Sequence, residues 1–325
     1  MTANFDEIAK QLQQELKRRA VDPSSPDLPP MPPTDAPPEQ QPIEVTHGNN
    51  DMPMVIIRHA PSSQEAQVYC YGAAVTSWTT RGEEHFWVSD QNKWQVGGKA
   101  IRGGIPICFP QFGPYGDLVQ HGFARVSDWR IRSTTVNEDQ SVTAVFGLTS
   151  ESGQEAMAAW PHKFDAEYSV TLSFAGLETR LSVKNTDDKP FSFTCAFHNY
   201  FKTSVVEDAR VFGFENLKHL NRLDSDKEMA EQEDSGAGVM LTEETDRIYM
   251  NAPEELAAFD FATLKVLKIK KTPTLQDATL WNPFGAEGAD PGWKNFICIE
   301  PACVTKPATL QPGETWVGAQ LLGVE

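Results

Sequence analysis

Residues 168–197 read YSVTLSFAGLETRLSVKNTDDKPFSFTCAF, and the pattern of this stretch decides the fold. Residues 168–174, 179–184 and 191–197 alternate apolar and polar side chains and are rich in β-branched and aromatic types, as half-buried strands require. Ala175-Gly176 and the Asx-rich 185–189 supply turns between them. Strands joined this closely pair antiparallel, because parallel neighbours need a crossover of a dozen residues or more. The same composition recurs at 67–78 and 142–148, while long helical periodicity is nearly absent from residue 43 onward. The expectation is an all-β protein, a large antiparallel two-sheet β-sandwich formed by residues 43–325 as one domain.

The N-terminal residues read differently. Phe5, Ile8, Ala9, Leu12 and Leu16 fall at helical spacing, predicting a short amphipathic helix within residues 1–20. Nine of the 23 prolines lie in residues 21–42, which predicts an extended Pro-rich linker without a core of its own. Residues 223–236 are acidic and polar, the composition of a solvated loop.

A formal net charge of −17 argues against a nucleic-acid surface, which needs a basic stripe. No apolar run has the length of a membrane span, and the N-terminus lacks an apolar signal core. The five cysteines, Cys70, Cys108, Cys195, Cys298 and Cys303, are odd in number and sit in apolar neighbourhoods without a CxxC spacing. They read as buried free thiols in a reducing compartment, so the cytoplasm is expected.

Strand parity locates candidate chemistry. In FSFTCAFHNY, residues 191–200, Phe191, Phe193, Cys195 and Phe197 face one way. Ser192, Thr194, Ala196 and His198 face the other, a small-residue surface that leaves room for a ligand beside a histidine. In FICIEP, residues 296–301, Glu300 ends an apolar strand, where lost hydration raises a carboxyl pKa toward the range of a general base. In AIRGGIPICFPQFG, residues 100–113, followed by QHGFAR, residues 120–125, Arg102 and Arg125 bracket Gln120 and His121. Two guanidinium forks in that setting suit phosphate or carboxylate. Each element has a plainer reading as well: a structural histidine, a strand-end glutamate in water, surface arginines. No HExxH, Cys/His cluster, P-loop, GxGxxG or GxSxG is present, so neither a metal nor an organic cofactor is expected.

Several motifs together resemble the hexose-6-phosphate mutarotases, the glucose-6-phosphate 1-epimerase branch of the aldose 1-epimerase superfamily. They are IRGGIP with CFPQFG, QHGFAR, HNYF at 198–201, DRIY at 246–249, WNP at 281–283 and IEP at 299–301, in the family's order. The resemblance implies the galactose mutarotase-like supersandwich and interconversion of the α and β anomers of D-glucose 6-phosphate and related hexose 6-phosphates. It assigns His198 and Glu300 as the catalytic pair. It carries binding of the phosphorylated sugar onto Arg102, Gln120 and Arg125, proximity to the sugar onto His121, and the sugar hydroxyls onto Asp246. Trp281 is suited to stacking on a sugar face, or to core packing. A small-molecule sugar phosphate is then the partner, and the chain is expected to act as a monomer. The alternatives are a non-catalytic sugar-phosphate-binding module on the same scaffold and a mutarotase of unphosphorylated aldoses.

Overall fold

The computed structural model describes residues 41–114, 118–152, 157–224, 230–231 and 238–325. The expected N-terminal helix and nearly all of the Pro-rich linker lie outside these residues, as does most of the acidic stretch 223–236. Within that stretch, Ala230–Glu231 pairs with Lys218–Asn221 as a short strand.

Strands dominate, and they form three antiparallel sheets. The hairpin read from the sequence is longer than its pattern suggested: Phe164–Ser173 pairs with Gly176–Asn185 along its full length. Phe164, Ala166, Tyr168, Val170 and Leu172 are buried from one strand, and Leu177, Thr179, Leu181 and Val183 from the other. Each large apolar side chain removed from water in this way contributes roughly 1.5–3 kcal/mol. The pair forms the middle of an eight-stranded sheet that also holds Arg130–Val136, Val142–Thr149, Lys265–Lys271 and Thr315–Val324.

The second eight-stranded sheet contains Phe191–Phe197, Thr245–Tyr249, Asp277–Asn282 and the fifteen-residue Phe296–Leu310, with Tyr200–Lys202 paired at one end. Phe193, Cys195, Phe197, Leu280, Ile297 and Ile299 point from this sheet into the core shared with the first. These two sheets are the sandwich that the alternation predicts. A third sheet of five strands, built from residues 43–84 in chain order, packs into the same core through Val55, Ile57, Val68, Val75 and Trp78. Its presence corrects the reading of 67–78 as one strand. Gln64–Tyr69 ends, and Ala74–Thr80 begins after a tight turn in which Gly72 and Ala73 both have positive φ.

The segment IRGGIP joins the third sheet to the second. Ile105 N–H donates to the Val75 carbonyl at 2.9 Å, and the Tyr200 and His198 amides donate to the carbonyls of Gly104 and Pro106 at 2.8 and 3.0 Å. Gly104 lies at φ +63°, and a Cβ there would overlap the Val75 carbonyl oxygen. Glycine is required for that close approach.

Candidate active site

The pairing register of the second large sheet builds the site. Asp246 lies opposite Trp281, Trp281 opposite Cys298, and Cys298 opposite Tyr200. In the adjacent row Ile248 lies opposite Thr279 and Thr279 opposite Glu300. Residues directly opposite on antiparallel strands share a face. The face turned away from the core therefore carries a band of polar and aromatic groups. Asp246, Trp281, Tyr200, Thr279 and Glu300 of this band line a cavity of about 950 Å³ that also takes in residues 97–102, 119–122 and 125–126.

All eight residues singled out from the sequence line this cavity: His198, Glu300, Arg102, Gln120, His121, Arg125, Asp246 and Trp281. His198 and Glu300 meet at its floor, with Nδ1 and Oε1 3.2 Å apart and the side chains 8% and 1% exposed. The His198 ring stacks on Tyr200 at 4.6 Å with an interplanar angle of 4°, and Trp281 meets it edge-on at 5.6 Å. Packing thus fixes the plane of the imidazole. His198 Nδ1, Glu300 Oε2 and Thr279 Oγ1 are buried without a hydrogen-bond partner. Leaving such atoms unsatisfied costs about 1–3 kcal/mol each, which points to use by a ligand.

Burial dominates the electrostatics of the pair. It raises the Glu300 carboxyl well above its ordinary range, with Asp246 adding to the effect and Arg222 and Arg125 opposing it. Burial also lowers His198 well below an ordinary histidine, reinforced by His121, Arg125 and Arg102. Both shifts favour the neutral forms, so Glu300 keeps a proton, and His198 gives one up, more readily than in water. His121 is lowered to about 3 by burial, then by Arg125 and Arg222, so it is neutral. Its Nδ1 accepts from the Gly113 amide at 3.2 Å, which leaves Nε2–H as a donor.

The cations occupy different levels. Arg125 is held by the Gln120 carbonyl at 2.8 Å, and Arg102, 47% exposed, stands 3.9 Å from Asp290. Arg222 was not among the residues singled out from the sequence. It follows the Lys218–Asn221 strand, pairs with Asp246 at 3.3 Å and lies over the Phe112 ring at 5.2 Å. Asp246 is raised to about 6 by burial against the lowering effect of Arg222. Lys99, Tyr200 and Thr279 also line the cavity and were likewise not singled out. The HNYF motif contained Tyr200, and its stacking on His198 is a signal that only the three-dimensional fold provides.

Among the described residues, one group could hold a metal ion: His198, Cys298 and Glu300, whose donor atoms lie within 4.8 Å of one another. Burial and the nearby Glu300 push the Cys298 thiol well up.

A family model described as aldose 1-epimerase matches residues 54–322. The chain belongs to the aldose 1-epimerase family. It is similar to a Cenchrus ciliaris protein named "Putative glucose-6-phosphate 1-epimerase", 38% identical over 265 residues that cover 78% of this chain and 79% of the relative. A protein of the same name from Salmonella typhimurium is 28% identical, over 79% of this chain and 85% of the relative. A crystal structure described as a putative mutarotase from the same organism superposes with a TM-score of 0.74 at 25% identity, covering 87% of this chain and 96% of the other. The aldose epimerase fold is therefore the β-sandwich seen here, and the chain is an epimerase with a small-molecule sugar as its partner. No helix among its described residues is long and apolar enough to cross a membrane.

Proposed function

We propose that this epimerase interconverts the α and β anomers of D-glucose 6-phosphate and related hexose 6-phosphates, with His198 and Glu300 as its acid–base pair. One observation carries the reading: a buried histidine–carboxyl pair, 3.2 Å apart, lies in the same cavity as Arg102, Arg125 and Arg222. The printed names of the relatives support the same substrate class.

Anomerisation opens the C1–O5 bond. Glu300 takes the proton of the C1 hydroxyl as the C1–O1 bond becomes a carbonyl, and the electrons of C1–O5 pass to O5, which takes a proton from His198. The aldehyde rotates about C1–C2 and the ring closes on its other face by the reverse transfers, so no net charge or electron is consumed. For this, the proton that burial favours on Glu300 must pass to His198, whose Nδ1 lies 3.2 Å from Glu300 Oε1. A phosphate dianion near Arg102 and Arg125 favours that move, because it offsets two of the cations that hold His198 low. Asp246, held by Arg222, accepts from sugar hydroxyls, Gln120 and His121 complete the polar contacts, and Trp281 offers an apolar face to the ring.

We propose further that the chain acts as a monomer and that the unit carrying the site spans residues 43–325. The free cysteines suit a reducing, cytoplasmic setting. The deciding experiment follows the optical rotation of freshly dissolved α-glucose 6-phosphate beside α-glucose. Acceleration of the phosphate ester well beyond glucose supports the proposal. No acceleration of either would leave a binding module, and equal acceleration would leave a mutarotase of free aldoses.

A further inference from the structure

A second cavity, of about 510 Å³, lies where the short strands Glu83–Glu84 and Tyr200–Lys202 meet Glu255–Asp260 and Lys265–Lys271. None of the eight active-site residues lines it. Its walls are mixed: Phe201, Phe259, Leu267 and Ile297 give an apolar side, and charged and polar residues give the rest. Two buried polar atoms of residues lining it, His85 Nε2 and Thr203 Oγ1, have no hydrogen-bond partner. The two residues are 8% and 7% exposed. Buried polar groups are nearly always satisfied, so two orphans lining one cavity mark a place where a ligand supplies the missing partners.

Charge selects the kind of ligand. The cavity's carboxylates are already engaged: Glu84 accepts from Ser77 and from the amides of Trp78, His85 and Phe86. Asp260 accepts from the Ser204 amide and hydroxyl, and Glu83 pairs with Lys265. Lys202, exposed at the cavity edge, has no ion-pair partner among the described residues. Burial and Lys202 lower His85 to about 4, so it is neutral and can donate one ring N–H.

We propose that this cavity is a second ligand site, for a small carboxylate with an apolar body. The body lies against Phe201 and Phe259, and the carboxylate accepts from His85, Thr203 and Lys202. The probe is naphthalene-2-carboxylate, titrated into the full chain by calorimetry, with 2-methylnaphthalene as the apolar control. Saturable binding of the acid is expected, weakened about tenfold or more in Lys202→Met and in Thr203→Val, each a loss of one polar contact. Leu267→Trp, which fills the cavity from a half-buried wall position, should abolish binding while leaving glucose 6-phosphate turnover intact. Glucose 6-phosphate should not displace the probe. Displacement by glucose 6-phosphate, undiminished binding in the three variants, or no saturable binding in the wild type would each overturn the proposal. Because binding is read without turnover, failure here is separable from failure of the anomerase reading.

Discussion

The two large sheets treat their outward faces in opposite ways. In the Phe164–Asn185 hairpin, buried residues alternate with Asp165, Glu167, Glu178 and Arg180, which meet solvent or half-meet it. In the Phe296–Leu310 strand, residues 296–303 are buried on both faces. One face packs into the core through Ile297 and Ile299, and on the other Glu300 reaches the floor of the candidate active-site cavity while Cys298 packs with Tyr200 and Phe296. The first sheet is a stabilising element. The second carries groups that burial penalises, Glu300, His198 and Thr279, a placement that fits the acid–base role proposed for the His198–Glu300 pair.

Substitution can break this contrast. Glu300→Gln and His198→Asn keep shape and remove proton transfer, so each should lower kcat by at least roughly 100-fold, with the double variant little worse than the worse single. Near wild-type turnover in a single variant would remove that residue from the pair. On the hairpin side, Leu181→Ala should cost about 2–5 kcal/mol of stability by denaturant titration while kcat stays near wild type at a temperature where the variant is folded. A comparable loss of turnover there would erase the division between the sheets.

Arg102→Ala should weaken kcat/KM for glucose 6-phosphate by about 10- to 100-fold and leave turnover of glucose nearly unchanged. Equal slowing of both substrates would make Arg102 a scaffold residue.

The pH dependence sharpens the comparison further. The working pair holds one proton, lost only above the raised Glu300 value and joined by a second only below the lowered His198 value. The kcat/KM profile should therefore be flat through neutrality, with limbs belonging to the pair rather than to either residue. A limb near pH 6.5 would show an unperturbed histidine. Stability carries the opposite mark. Because the folded Glu300 value lies above 4.5, the wild type loses stability as pH rises from there toward that raised value. The stability of Glu300→Gln relative to wild type should thus grow in thermal melts as pH rises above the ordinary glutamate value. The smallest effect concerns metal: exhaustive chelation should leave the rate unchanged, and loss reversed by a divalent ion would place a metal at His198, Cys298 and Glu300.

Much of this was legible in the sequence because it follows from period and local motif. The hairpin alternation gives the sandwich, parity puts His198 on the non-core face of its strand, its place at the end of an apolar strand singles out Glu300, and all eight candidate residues reach one cavity. What escaped depends on pairing between distant strands. Arg222 adjoins an acidic stretch, and only the register that brings Lys218–Asn221 beside Thr245–Tyr249 puts it against Asp246. The turn at 70–73 is masked by its own composition, since Cys70, Tyr71 and Ala73 read as strand residues while the backbone turns through positive φ. The third sheet escaped with it.

The hydrogen bonds from His198 and Tyr200 back to the IRGGIP segment have a consequence for assembly. His198 and Glu300 arrive on segments far apart in the chain, and the histidine's own backbone is pinned to a segment that is pinned in turn to Val75 of the third sheet. Such non-local closure is slow and comes late in folding. A chain emerging from synthesis therefore cannot bring His198 and Glu300 together until Glu300 has been added and the second sheet has closed. The proposed acid–base pair is a product of assembly, absent from any fragment that stops short of the Phe296–Leu310 strand.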